Sequence, residues 1–342
     1  MEKFYLGISL GFNSSACVYS SVRGLLAAIS QERLNGEKNT KELPFDAMIK
    51  CVELACTYRI DKIAISHYED ISNEYFNRYG KRFNVSTLDW QDKIIYWLGK
   101  NGIVVNDPDI VSVNHHIAHA LSTFGFYGTP QKNFYTITSD GFGDGYSGQI
   151  RYGYELVSKV KLKNSIALVY QFVTGALGFK EHQHEGKITG LAAFGEPIYL
   201  DKFNSLYNHS DSGNFLEFDS DRYELTGDEV INHNIIDFEN FLKLKKAVYQ
   251  LVNELIANGA KREDIAASVQ EFAEYHTCNW IKAYCKNIGA DAYLAGGLFA
   301  NVKINQRVKE LGIFNNFRVH GKADSIPEPE FSTAYHTSRC SY

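Results

Sequence analysis

The residues best suited to chemistry fall in a few short runs. The densest is Asn114-His115-His116-Ile117-Ala118-His119-Ala120. His115 and His119 stand four apart, so on a helix both imidazoles face one side. The run follows an apolar, strand-like segment, which sets the pair at a helix start near a sheet edge. The positive end of the helix dipole there disfavours imidazolium and helps keep the rings neutral, as a metal requires. Two imidazoles are too few ligands for a metal site, and a histidine-rich structural helix start explains the run equally well.

Ser139-Asp140-Gly141-Phe142-Gly143-Asp144-Gly145 lies directly after another strand-like segment. Acidic groups and three glycines there form a turn whose N–H groups approach phosphate oxygens. Asp140 could add a carboxylate to His115 and His119, a nitrogen and oxygen donor set that suits iron, zinc or manganese. The D-G pair also marks a plain hairpin turn. In Leu294-Ala295-Gly296-Gly297-Leu298-Phe299-Ala300-Asn301 a strand ends in two glycines and a helix begins, a place for a nucleotide or only for close packing. In His184-Glu185-Gly186-Lys187, Lys187 could meet a phosphate and Glu185 a ribose hydroxyl, or both could be solvated at a helix start. His182 and His184 read as surface histidines. Gln31-Glu32-Arg33-Leu34-Asn35-Gly36-Glu37-Lys38 reads as a charged loop.

The elements that must position these runs can be read from pattern. Phe4–Leu10, Ala16–Ser20 and Leu25–Ser30 predict three strands in a meander. A helix is expected over about Pro44–Tyr58 with Pro44 in its first turn, then strands at Ile60–Ser66 and from Val111. Phe134–Ser139 and Gly145–Arg151 predict a strand pair. Helices follow over Ile166–Leu177, Lys187–Phe194, Phe238–Asn258 and Arg262–Ile288. A strand at Ala292–Leu294, a helix over Leu298–Leu311 and a strand at Phe317–His320 complete the pattern. Three meander strands, then helix and strand in alternation, partly repeated in the second half, predict an α/β fold of two ribonuclease-H-like lobes around a cleft. The first lobe is expected over residues 1–160, a helix-rich second over 161–320, and an irregular tail over 321–342.

The chain of 342 residues is long enough for two such lobes, and 44% hydrophobic with 22% charged residues is ordinary for a globular protein. A net charge of -5 gives no basic field for nucleic acid. Six scattered cysteines without a C-x-x-C pair predict reduced thiols and a cytoplasmic setting. No signal peptide or membrane-spanning run is expected.

Taken in order, LGISLGFNSSA, ERLNGEK, NHHIAHA, SDGFGDG, HEGKITGLAAFG and LAGGLFANVKINQRV resemble the carbamoyltransferase family that includes the nodulation-factor and aminoglycoside O-carbamoyltransferases. The resemblance runs from residue 6 to about 320. It implies an N-terminal domain similar to the tRNA threonylcarbamoyl-transferase fold, within the actin/hexokinase-like superfamily. It further implies that His115, His119 and Asp140 hold a divalent metal, iron first, with zinc or manganese as alternatives. Gly141, Gly143 and Asp144 would lie along phosphates of an adenine nucleotide (ATP or carbamoyl-adenylate). Gly296, Gly297 and Asn301 would meet the adenosine, and Glu185 and Lys187 would line the cleft. Lys38 falls on the family's basic residue near the carbamoyl group, and Asn13 on its first polar turn.

The activity implied is transfer of a carbamoyl group from carbamoyl-adenylate, itself derived from carbamoyl phosphate, to a hydroxyl of a sugar or other small acceptor in a biosynthetic reaction. Two departures stand out. Phe12 occupies a place where relatives often carry histidine. The segment RVHGKADSIPEPEF, with Asp324, replaces a Gly-Asp-x-Gly turn that bears a further metal ligand. The expectation is therefore a chain holding the transfer half, with the carbamoyl-adenylate-forming domain separate. The competing expectations are a non-catalytic nucleotide- and metal-binding domain and a tRNA threonylcarbamoyl-type transferase. The charge and the His-His-x-x-His form, in place of that family's His-x-Glu-Gly-His, count against the latter. No nucleic-acid or membrane partner is expected.

Overall fold

The computed structural model describes residues 1–11, 13–66, 88–208, 216–225 and 237–320. Phe12, Asp324 and the tail expected over 321–342 lie outside them. The described residues divide into two compact units, one up to Pro130 and the other from Gln131 onward.

In the first unit, strands β1 (Phe4–Ser9), β2 (Ser15–Ser20) and β3 (Gly24–Ser30) form the expected meander. Helix α1 (Phe45–Leu54), strand β4 (Lys62–Ser66), helix α2 (Trp90–Lys100), strand β5 (Ile110–Val113) and helix α3 (His115–Tyr127) come next. The sheet order is β3-β2-β1-β4-β5. β1 runs antiparallel to β2 and parallel to β4. Leu6 and Ile8 of the central strand, Val18 of β2 and Ile63 and Ile65 of β4 pack with Phe45, Met48 and Val52 of α1. Continuous apolar runs in central strands are what burial on both faces selects. The expected helix to Tyr58 stops at Leu54, because Cys56 takes a left-handed φ of 51° that turns the chain toward β4.

The second unit repeats the plan. Strands β6 (Phe134–Gly143), β7 (Tyr146–Tyr152) and β8 (Glu155–Lys161) form its meander. Helices α4 (Ile166–Ala176), α5 (Glu185–Ala192), α6 (Phe238–Ala257) and α7 (Arg262–Tyr284) lead to strand β9 (Ala290–Ala295). Helix α8 (Val302–Glu310) and strand β10 (Phe314–Val319) complete it. The order β8-β7-β6-β9-β10 has the same form as in the first unit. β6 pairs antiparallel with β7 and parallel with β9. Each unit is therefore a ribonuclease-H-like α/β unit, the pair expected of an actin/hexokinase-like protein.

The sequence pattern predicts a division after residue 160; in the structure residues from Gln131 pack with the second compact unit. The physical reason is the ladder: β6 joins β9, more than 150 residues later, residue for residue from Phe134 opposite Asp291 to Thr138 opposite Ala295. Such pairing has no local sequence signal. α7 supplies much of the core here, burying Ile265, Val269, Phe272, Trp280 and Ile281. The helix expected over 298–311 is interrupted. A 3-10 turn spans Gly297–Ala300, and Asn301 then caps α8, its Oδ1 accepting from the N–H groups of Lys303 (3.0 Å) and Ile304 (3.3 Å).

Candidate functional site

The first unit places the histidine pair at the start of α3. Asn114 caps this helix, its Oδ1 accepting from the N–H groups of His116 and Ile117, each at 3.2 Å. That cap fixes where the helix begins and therefore which way His115 and His119 point. Both are buried, and their Nε2 atoms lie 3.1 Å apart with the rings perpendicular. Two nitrogens bound to one cation at about 2.1 Å would be separated by roughly 3.0–3.4 Å, depending on the angle between them. The observed spacing fits a shared metal and, in its absence, a hydrogen bond from one ring to the other. In the same helix, the Ser122 and Thr123 hydroxyls donate to the His119 and Ala120 carbonyls, so these two hydroxyls are satisfied within the helix.

The loop bearing Lys38 is built by amides and carboxylates. Gln31, 1% exposed, donates through Nε2 to Asp46 (2.9 Å) and accepts from the N–H of Ala47 (3.1 Å). Asn35 donates to Glu42 (2.8 Å) and Thr40 (3.2 Å), and Glu32 accepts from the N–H of Asn39 (2.9 Å). Lys38 itself is exposed between these anchors. The run read as a solvated charged loop is thus a braced platform. Asn13 sits between β1 and β2 with φ 59°, a left-handed conformation that asparagine tolerates better than most residues.

The second unit brings two of the sequence motifs together. β6 and β9 run parallel and end side by side, so Asp140 and Gly296-Gly297 meet. A Cβ on Gly297 would lie 2.8 Å from Asp140 Oδ1, and one on Gly296 would lie 2.2 Å from the Ser139 carbonyl oxygen. Gly296 also has φ 104°. Glycine is required at 296, where a Cβ would meet backbone at a positive φ; at 297 a Cβ would have to displace the Asp140 carboxylate. Asp140 Oδ1 accepts from the N–H of Gly141 at 2.8 Å. The ladder is irregular between Ser139 and Gly143, which bulges the end of β6. The tight turn expected across the whole run is confined to Asp144-Gly145, with φ of 50° and 78°, both positive as a type I′ hairpin requires. The plain hairpin reading is therefore correct for these two residues. Gly141 and Gly143 are still strand.

Glu185 opens α5 and accepts from the N–H of His182 at 2.6 Å. Burial, with the nearby Glu181 carboxylate adding to it, raises its affinity for a proton. Lys187 is exposed, with its ammonium 5.7 Å from the Phe179 ring centre. One turn further along α5, Thr189 joins a polar network the sequence reading missed. Tyr170 contacts the Thr189 hydroxyl (2.8 Å) and donates to Gln270 (2.8 Å). Asn301 donates to Gln270 (2.9 Å) and Thr189 (3.3 Å). Burial pushes the Tyr170 phenol well above its usual range, so it stays neutral. Gln270 is 100 residues from Tyr170 in the chain, and only the packing of α7 against α4 and α5 reveals the set.

Of the cysteines described, Cys17, Cys51, Cys278 and Cys285 are buried and Cys56 is exposed; all five are free thiols. No described helix is long and apolar enough to cross a membrane.

The chain is similar to several known proteins. Nodulation protein NolNO of Sinorhizobium fredii is 25% identical over 312 residues, covering 87% of this chain and 42% of its own length. Nodulation protein NolO of Bradyrhizobium diazoefficiens is 28% identical over 221 residues, 62% of this chain and 36% of its own. The chain thus spans about half or less of the length of these curated relatives. Among solved structures, component A of (R)-2-hydroxyglutaryl-CoA dehydratase from Acidaminococcus fermentans superposes with a TM-score of 0.48 at 11% identity, covering 97% of this chain and 99% of that one. The carbamoyltransferase N-terminus family model matches residues 5–324, nearly the full sequence, and the chain belongs to that family.

Proposed function

We propose that this chain carries the transfer half of an O-carbamoyltransferase, moving a carbamoyl group from carbamoyl-adenylate to a hydroxyl of a sugar or other small acceptor. The observation that carries the reading is the buried His115–His119 pair, whose 3.1 Å spacing suits one shared cation, in a chain of the carbamoyltransferase N-terminus family. Asp140 is proposed as the third ligand. Membership of the family, from which that ligand set is expected, supports the choice. Iron fits this donor set, as do zinc and manganese.

When bound, the metal supplies Lewis-acid stabilisation of the adenylate phosphate as leaving group. The chain's own residues do the rest. Gly296 and Gly297, packed against the end of β6, meet the adenosine through their backbone, with Asn301 nearby. Gly141, Gly143 and Asp144 border the phosphates. Glu185 accepts from a ribose hydroxyl, and Lys187 sets positive charge near phosphate. Lys38, on its braced loop, holds the carbamoyl oxygen as negative charge develops there, and Asn13 orients the acceptor hydroxyl. A separate carbamoyl-adenylate-forming domain supplies the donor, in the cytoplasm.

The test is metal content and transfer measured together. Purified protein incubated with preformed carbamoyl-adenylate, iron(II) and candidate sugars should yield acceptor heavier by one carbamoyl group in mass spectrometry. His119→Ala should lose both bound metal and product, and Lys38→Ala product alone. Full metal content in folded His119→Ala protein would rule the assignment out.

A further inference from the structure

We propose that Glu181 is a positioning residue for the nucleotide site. It fastens the loop before α5 to α6, so that Glu185 and Lys187 are held where a nucleotide needs them. The inference rests on the proposed nucleotide contacts of those two residues and adds a group that does not touch the ligand.

The segment between α4 and α5 needs an external hold. Gly178 has φ 80° and His182 φ 63°, so the chain reverses twice within five residues. Glu181 lies between these reversals with 17% of its side chain exposed. Its Oε1 accepts from the Tyr249 hydroxyl at 2.5 Å and meets the Lys245 ammonium at 2.9 Å. Its Oε2 accepts from the Gln171 amide and from Lys245, both at 3.2 Å. One carboxylate therefore joins the loop to α4 and to α6, with every contact charged or charge-assisted. Burial works against the charge, but Tyr249, Lys245 and Gln171 overcome it and hold the carboxyl below its usual range. The loop then delivers the His182 N–H to Glu185 at the first turn of α5.

Gly175 shows that the fold is built around this cluster. A Cβ there would stand 2.1 Å from the Tyr249 oxygen and 2.5 Å from Glu181 Oε1. Glycine inside a helix costs about 1 kcal/mol relative to alanine. Here it opens α4 just where the carboxylate and phenol meet. An ordinary surface ion pair needs no such opening and contributes little.

The experiment measures binding of a fluorescent ATP analogue to the full chain, with melting temperature and metal content as controls. The variants are Glu181→Gln, Tyr249→Phe, their double, Gly175→Ala, and Lys187→Ala as a reference for direct contact. Glu181→Gln should weaken nucleotide binding roughly three- to tenfold. Tyr249→Phe should weaken it less, and the double variant should match Glu181→Gln, because both act through one link. Gly175→Ala should behave like Glu181→Gln, and metal content should stay at the wild-type level throughout. Unchanged affinity in Glu181→Gln alongside weakened Lys187→Ala would overturn the positioning role and leave the nucleotide site intact. A wild-type chain that does not bind the analogue would instead overturn the nucleotide reading itself, and this inference with it.

Discussion

The sheets β1–β5 and β6–β10 have the same strand order but offer a ligand different things. The first unit presents side chains: a buried histidine pair on α3, and a lysine on a loop tied down by Gln31, Asn35 and Glu42. The second presents backbone: Gly296 and Gly297 beside Asp140, at strand ends with no room for a Cβ. Side chains on a capped helix suit fixed donor atoms for a metal. Bare backbone suits close approach of a flat or phosphorylated ligand. On the proposed reading one topology serves two kinds of binding, with Asp140 of the second unit lending its carboxylate to the metal.

The comparison is most strongly tested through the cores. Trp280 is 1% exposed, donates to the Ser158 hydroxyl at 3.0 Å, and lies so close to Gly148 that a Cβ there would be 2.9 Å from its ring. Phe45 is a comparably buried aromatic in the first unit, 2% exposed and edge-on to Trp97 at 5.6 Å. Trp280→Ala and Phe45→Ala should each cost about 3–5 kcal/mol in denaturant unfolding. If the units are as separate in packing as in sequence, the losses should add in the double variant. A strongly non-additive result would show that the two cores share energy.

A smaller effect is expected at the backbone site. Gly296→Ala forces a Cβ against the Ser139 carbonyl at a φ that L residues avoid, and should cost roughly 2–4 kcal/mol. The melting temperature should fall by several degrees, and metal content should fall with it, because the strand end that carries Asp140 is displaced. Full metal content in the destabilised variant would count against Asp140 as a ligand.

The smallest effects are in acid. Each unit has a carboxylate whose hydrogen bonds outweigh burial and keep its proton affinity low. In the first, Asp61 accepts from the Phe4 N–H, Asn106 and Arg59; in the second, Glu217 is held by Lys163 and Asn164. A folded-state pKa below the unfolded value contributes stability above the unfolded pKa, and that stability is lost as pH falls through the folded one. Asp61→Asn and Glu217→Gln should therefore lower stability at neutral pH slightly and flatten its decline below about pH 4. Thermal melts from pH 3 to 7 would show this, and an unchanged slope in both variants would remove these carboxylates from the acid response.

Much of this was legible in the residues. Apolar runs marked the strands at Phe4, Ala16, Leu25 and Phe134, because burial selects them directly. The i, i+4 spacing of His115 and His119 predicted one shared face, since helix geometry fixes it. The D-G pair predicted the hairpin at Asp144-Gly145, because both positions need positive φ. Asn301 carries a readable cap signal besides the ligand contact that the resemblance implies, and Cys56 gives no warning that α1 ends before it.

The sequence by itself determined local conformation: which segments are helix or strand, where turns need glycine or asparagine, and which histidines share a face. Only the tertiary structure decided that the second unit begins at Gln131, that Asp140 lies against Gly297, and that Glu181 is gripped by Tyr249 and Lys245. Those contacts join residues tens to more than 150 positions apart. Dihedral preferences and apolar periodicity act over a few residues. Long-range pairing is set by which faces can be buried together once the whole unit has formed.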